Sequence, residues 1–209
     1  MTVDVSKIYL LDVKTGASVE AELRDAIEQT QLDDWQTKWR PALLTVLQEL
    51  ARKGVPMDQW PQSWHWDWSQ KTTRVRGLLA FRGFSVVALG ETQGLAQVDL
   101  TRTAREANQR GKPLVYIDYL EVAPWNRPEL GAAPRLRGVG SALVTAVVAL
   151  SEDEGFKGRL GLHALPQADD FYRKIGMTDL GQDPAYQNLR YFEMTSEQAR
   201  AFFGQEGER

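Results

Sequence analysis

The chain has 209 residues, is 43% hydrophobic and carries a formal charge of −3. That fits one soluble domain and lacks the strong positive field that bulk nucleic-acid binding requires. It has no cysteine and only two histidines, His65 and His163, which removes disulfides, cysteine nucleophiles and thiolate or multi-histidine metal centres. No apolar run approaches the roughly 18 residues of a membrane span, and the start Met1-Thr2-Val3-Asp4 lacks the basic and apolar regions of a secretion signal. A cytoplasmic protein with no membrane, nucleic-acid or metal partner is expected.

In chain order, residues 8–13 read as a first strand closed by Lys14-Thr15-Gly16. Residues 19–30 carry Leu23 and Ile27 at i, i+4 and read as a weak helix. Residues 32–52 form a stronger helix with Trp39, Leu43, Val46, Leu47 and Leu50 on one face, closed by Gly54 and Pro56. Four tryptophans follow, Trp60, Trp64, Trp66 and Trp68. They can pack on a sheet or form an aromatic wall around an acceptor pocket, with Trp66 a candidate substrate contact. Residues 84–91 and 95–101 read as a hairpin turned at Thr92-Gln93-Gly94. Residues 102–112 are charged, without hydrophobic period, and read as a solvated, mobile connection. A strand over 114–123 stops at Pro124. A helix over 138–154 has Val139, Leu143, Val147 and Leu150 inward. A strand at 159–165, a helix from Pro166 to Gly176, a strand at 188–194, a helix at 195–203 and a frayed tail at 204–209 complete a mixed α/β order.

The run Arg135-Leu136-Arg137-Gly138-Val139-Gly140-Ser141 lies between an apolar strand and an apolar helix. Its glycines let the backbone approach an anion, and the first-turn amides of the helix have no intrahelical acceptors. It is not a nucleotide P-loop, since no Gly-Lys-Ser/Thr follows, nor a dinucleotide fingerprint, since the third glycine is missing. A second element is Asp170-Phe171-Tyr172-Arg173-Lys174-Ile175-Gly176-Met177. Phe171 and Ile175 share a helical face, while Tyr172 is one step round and is either a structural tyrosine or a proton donor to a leaving thiolate.

Leu120-Glu121-Val122-Ala123-Pro124, the glycine run and the Phe171–Met177 segment together resemble the GCN5-related N-acetyltransferase (GNAT) family over roughly residues 84–194. The resemblance implies one α/β domain over 1–209: an N-terminal strand and helices at 1–83, an acetyl-CoA-binding and catalytic core at 84–194, and a C-terminal helix and tail at 195–209. It implies a mixed, mostly antiparallel central sheet with helices on both faces and a V-shaped opening between the strands at 114–123 and 159–165. It further implies that the backbone of Leu120 and Val122 pairs with the pantetheine arm of acetyl-CoA. The pyrophosphate would lie on the run from Arg135 through Leu136, Arg137, Gly138, Val139 and Gly140 to Ser141, and Tyr172 would be the general acid. Two departures stand out. Residues 125–134 lengthen the loop before the glycines, making Trp125, Asn126 and Arg127 candidate acceptor contacts. Leu165 stands seven residues before Tyr172, where the family often has asparagine.

Amine acetylation also needs a proton acceptor. Asp118 and Glu121 lie three positions apart on one strand and so face opposite sides. Asp118 shares the parity of Leu120 and is favoured, with water-mediated removal and His163 as further routes. The expected activity is transfer of an acetyl group from acetyl-CoA to a primary amine, on a small molecule or a protein, by a monomer or homodimer. A CoA-binding regulatory module without turnover, or a scaffold engaging a protein through the tryptophans, are the alternatives.

Overall fold

The computed structural model describes residues 3–131 and 133–207, with side chains of the terminal helix placed as far as Gly204. Met1, Thr2, Ala132 and the end of the expected tail, Glu208 and Arg209, lie outside the described residues. The strands are β1 Val5–Asp12, β2 Ser18–Arg24, β3 Phe81–Ala88, β4 Glu91–Thr103, β5 Pro113–Val122, β6 Leu136–Arg137, β7 Leu160–Ala164, β8 Thr178–Asp183 and β9 Leu189–Met194. The helices are α1 Gln29–Asp34, α2 Arg40–Arg52, α3 Trp68–Val75, α4 Val139–Asp153, α5 Asp169–Lys174 and α6 Ser196–Gly207. One mixed sheet runs in the order β6-β1-β2-β3-β4-β5-β7-β9-β8. Pairings of β1 with β2 and β6, β2 with β3, and β9 with β7 and β8 are antiparallel. β5 and β7 are parallel, joining Val115 to Leu160, Tyr116 to Gly161 and Ile117 to Leu162, and β5 runs on past these pairs to Val122.

The chain packs as two compact units, the first taking in residues up to Leu78, Gly83–Leu95 and Leu120–Leu143. In it, β1 and β2 form a hairpin whose Asp12 carboxylate accepts the Lys14 and Thr15 amides at 2.8 and 3.0 Å. The helix expected over 19–30 is thus corrected. Val19, Ala21 and Leu23 alternate with Glu20 and Glu22, a period of two, and Ala21 is the buried member. The long helix is present but interrupted by a π-helical turn, Trp35–Trp39, just before Pro41, with the Arg40 amide reaching back to the Trp35 carbonyl. Both Trp35 and Trp39 are buried there, and the Trp39 indole donates to the Thr92 carbonyl at 2.9 Å.

The β3–β4 hairpin also stands, with its turn moved. Leu89 and Gly90 both have positive φ, 55° and 72°, the geometry of a two-residue type I′ turn. Thr92, Gln93 and Gly94 are strand residues. Glycine at 94 answers a packing need: a Cβ there would stand 2.6 Å from a Val139 methyl and 2.9 Å from Leu143.

The second unit takes in Leu79–Arg82, Ala96–Tyr119 and Val144 onward. Val144, Val147 and Val148 of α4 are fully buried there, while Leu150 is only half-buried. The mobile connection expected at 102–112 is corrected. β4 extends to Thr103, Ala104 and Gln109 are buried, and the fully buried Glu193 carboxylate accepts the Arg105 amide, the Glu106 amide at 2.9 Å and the Gln109 side chain at 3.0 Å. β8 was not legible as a strand, because Gly181 and a register shift between Asp179 and Gln182 break its pattern. Among the described residues no helix is long and apolar enough to cross a membrane.

Candidate functional site

The glycine run enters α4 through β6, whose Leu136 and Arg137 pair with Asp12 and Leu11 of β1. Gly138 then takes φ 99°, a conformation that excludes a side chain without strain. The first intrahelical bond runs from the Ala142 amide to the Gly138 carbonyl at 2.8 Å. Val139, Gly140 and Ser141 therefore lie in the turn whose amides have no acceptor inside the helix. The Leu136 amide is used differently: it donates to the Asn126 side-chain carbonyl at 2.9 Å. Arg135 and Arg137 are exposed, Arg135 lying over the Trp125 ring and 3.6 Å from Glu91.

The long loop before this run is held by two polar clusters. Gln93 Oε1 accepts both the Trp125 indole and the Asn126 amide, each at 2.9 Å, while its own amide returns to the Ala88 carbonyl. Sequence reasoning missed Gln93, having placed it in a turn. The second cluster centres on Glu121, which is buried. Its carboxylate accepts the Trp68 indole at 2.7 Å and faces the buried Arg127 guanidinium at 3.2 Å. Arg127 also bonds Ser63 at 3.0 Å and Glu129 at 2.7 Å. Burial pushes the Glu121 carboxyl up, opposed by the Arg127 charge and the Trp68 and Ser63 hydrogen bonds. Trp68, at 0% exposure, is thus a core residue that also anchors this ion pair. Trp66 is half-buried with the Lys71 ammonium over its ring at 4.7 Å, and Trp60 meets Trp64 edge to face.

In the second unit, Tyr172 of α5 is buried between Phe171 and Phe192, ring centres 5.1 and 5.8 Å away. Burial alone raises its hydroxyl well above the ordinary range, so it keeps its proton at neutral pH. α5 carries Asp169 and Asp170 in its first turn and Arg173 and Lys174 in its last, matching the helix dipole at both ends.

The same unit holds a chain of titratable groups that sequence spacing does not reveal. The Tyr116 hydroxyl lies 2.6 Å from His163 Nδ1, and His163 Nε2 lies 3.0 Å from Asp183 Oδ2. The Tyr186 ring stacks on the imidazole, 3.9 Å between centroids and 8° from parallel. Arg105 bonds Asp183, and its guanidinium lies 4.3 Å from the Tyr191 ring centre. Arg105 and His163 hold the Asp183 carboxyl down to about 2. Burial, with Arg105 and Arg102 adding positive charge, pushes His163 below its ordinary value despite Asp183. An ionised carboxylate can only accept, so Nε2 carries the imidazole proton, Nδ1 is the lone pair, and Tyr116 donates to it. Burial, and after it the charge of Asp118, half-buried two residues along β5, raise the Tyr116 hydroxyl; burial works against the Arg102 guanidinium, which Asp99 chiefly raises and Asp118 raises a little further. Asp118, Tyr172 and this chain therefore sit in one unit, while Glu121, Leu120, Val122 and the glycine run sit in the other. Among the described residues no group of three or more His, Asp or Glu side chains could hold a metal ion.

No family model and no curated protein matches the chain by sequence. Solved structures match it by fold. A GNAT-family protein from Desulfovibrio desulfuricans superposes with a TM-score of 0.52 at 12% identity, covering 83% of this chain and 96% of its own. Mycobacterium smegmatis RimJ, solved in complex with CoA-disulfide, gives 0.51 at 14% identity over 99% of this chain and 95% of its own. FeeM, an N-acyl amino acid synthase from uncultured soil microbes, gives 0.53 at 14% identity over 87% and 93%. The fold is that of the GCN5-related N-acetyltransferases.

Proposed function

We propose that this chain, with its GNAT fold, is a CoA-dependent N-acyltransferase that moves an acetyl group from acetyl-CoA to a primary amine. The observation that carries the reading is the glycine run. Gly138 at φ 99° leads into the first turn of α4, so that Val139, Gly140 and Ser141 present amides suited to a pyrophosphate. Arg135 and Arg137 add exposed positive charge. The Leu136 amide, engaged by Asn126, is left out of this role. The backbone of Leu120 and Val122 at the end of β5 is proposed to pair with the pantetheine arm. That a solved structure of the same fold holds a CoA derivative supports the donor.

In this reading the amine attacks the thioester carbonyl directly, since the chain has no cysteine to form an acyl-enzyme. Tyr172, buried and protonated, supplies the proton to the departing thiolate. Asp118 is the carboxylate that draws in the acceptor's ammonium group and begins its deprotonation. Glu121, engaged by Trp68 and Arg127, instead fixes the long loop. Trp66, Trp125 and Asn126 remain the proposed acceptor-side residues, with Trp125 and Asn126 oriented by Gln93. The absence of cysteine suits a cytoplasmic setting.

The test is thiol release from acetyl-CoA in the presence of tryptamine, spermidine and a lysine-containing peptide with a free N-terminus, alongside CoA titration by calorimetry. Thiol release with one class of amine is expected. Binding heat without thiol release would replace the reading with a CoA-binding module, and the absence of both signals would overturn it altogether.

A further inference from the structure

The Tyr116–His163–Asp183 chain has the form of a proton relay, and the acyltransferase reading, on which this inference rests, leaves it without a task. An imidazole takes up and releases a proton close to neutral pH, and this one is engaged at both ring nitrogens. We infer that the acceptor amine gives up its proton to Tyr116, which passes its own hydroxyl proton to His163 while Asp183 holds the resulting imidazolium.

The balance is complete within the named groups. The N–H bond of the ammonium breaks, and its proton goes to the phenol oxygen of Tyr116, directly or across the Asp118 carboxylate. In the same exchange the O–H bond of Tyr116 breaks, and that proton forms an N–H bond at Nδ1 of His163. A neutral amine, a neutral phenol and an imidazolium remain, the last facing Asp183 across 3.0 Å. The imidazolium later releases its proton to water.

Geometry sets the direction. Nδ1 is aimed at Tyr116 at 2.6 Å and Nε2 at Asp183, so the ring is held at both nitrogens in the tautomer the transfer needs. Tyr186 stacked on one face and Tyr191 tilted at 4.7 Å leave it little freedom to turn. The charged groups around it are Asp183 from β8, Arg105 from the β4–β5 connection, and Arg102 of β4, itself tied to Asp99. Burial first, and then the two arginines, oppose protonation, while Asp183 favours it without reversing the balance. His163 is therefore neutral and ready to accept at neutral pH, and its proton is released again without difficulty. Tyr116 is the member that meets the amine; His163 and Asp183 are positioning residues acting through it.

The experiment uses the full chain, acetyl-CoA and whichever amine of the panel releases thiol. Profiles of kcat/KM from about pH 5.5 to 9 are compared for the wild type, His163→Gln and Tyr116→Phe, with CoA titrations on each. Loss of about 10²-fold in turnover is expected in both variants, with CoA affinity unchanged and the acid limb of the profile abolished in His163→Gln. Nitrogen NMR of the wild-type imidazole, independent of any variant's folding, is expected to show the neutral Nε2–H tautomer. An Nδ1–H tautomer overturns the relay, as does an acid limb that survives intact in His163→Gln. Either result leaves thiol release, and so the acyltransferase reading, standing. No thiol release from the wild type with any amine removes that reading and the relay with it.

Discussion

The buried pair of Glu121 and Arg127 shows how much one residue can hold. Arg127 is 5% exposed and meets Glu121, Ser63 and Glu129. Removing the guanidinium leaves a buried carboxylate with its main counter-charge gone. Arg127→Ala is accordingly expected to cost about 3–5 kcal/mol in urea unfolding. Replacing both members by apolar residues of similar volume should cost far less, because neither charge then stays unpaired. A cost below about 1 kcal/mol for the single change would show that water replaces the guanidinium there. Tyr172 invites a different measurement. Its ring packs against Phe171 and Phe192, and Tyr172→Phe keeps that packing while removing the hydroxyl. Turnover should fall about 10²-fold or more with CoA binding unchanged; equal losses in both would argue against the acid role.

Among the elements, what was legible depended on whether the signal was local. α4, β5 and β7 stood out because their apolar residues run together and proline or glycine bounds them. β2 was mistaken for a helix because Leu23 and Ile27 fit an i, i+4 pattern, although Val19, Ala21 and Leu23 fit a period of two equally well. Only pairing with β1 and β3 decides between them. The glycine run was readable from its own residues. The relay was not, since Tyr116, His163 and Asp183 come from three separate strands, β5 paired with β7 and β8 separated from β7 by β9, and meet only in the folded sheet. Gln93 escaped for a related reason. Gly94 read as a turn glycine, yet the packing of Val139 and Leu143 against it is what excludes a side chain. The true turn, Leu89-Gly90, makes its own prediction. Leu89 is 58% exposed with φ 55°, so it spends conformational energy without burying its side chain. Leu89→Asn suits a type I′ turn and is expected to stabilise the chain by roughly 1 kcal/mol, read as a higher urea midpoint. A lower midpoint would mean that the leucine packs in a way its exposure does not suggest.

For the whole molecule, the same groups set how stability follows pH. His163 has a folded value below its unfolded one, so as pH falls the unfolded chain binds the proton first. Stability is therefore lost from about pH 6.5 downward until the folded imidazole is also protonated. Asp183 acts later. Its folded value of about 2 lies below the ordinary 3.8, so the stability it contributes is present above that range and lost as pH falls through it. Glu121 has the opposite sign. Its raised folded value means that the native state holds a proton more tightly, and acidification from neutrality toward 4.5 favours folding through this group. The two trends overlap between roughly pH 4.5 and 6.5, so the wild-type midpoint alone does not separate them. The difference between wild type and His163→Gln does, because Glu121 and the exposed His65 are common to both. Urea midpoints measured from pH 8 to 5 should fall more steeply in the wild type than in His163→Gln, with the divergence beginning near pH 6.5. Parallel curves would mean that the folded imidazole titrates like the unfolded one, and that Asp183 offsets the burial and the arginines in full. A wild-type midpoint that rises on acidification while the variant's stays flat would mean that the folded imidazole binds its proton more tightly than the unfolded one. Asp183 would then outweigh burial and the arginines at His163, contrary to the neutral resting imidazole on which the relay depends.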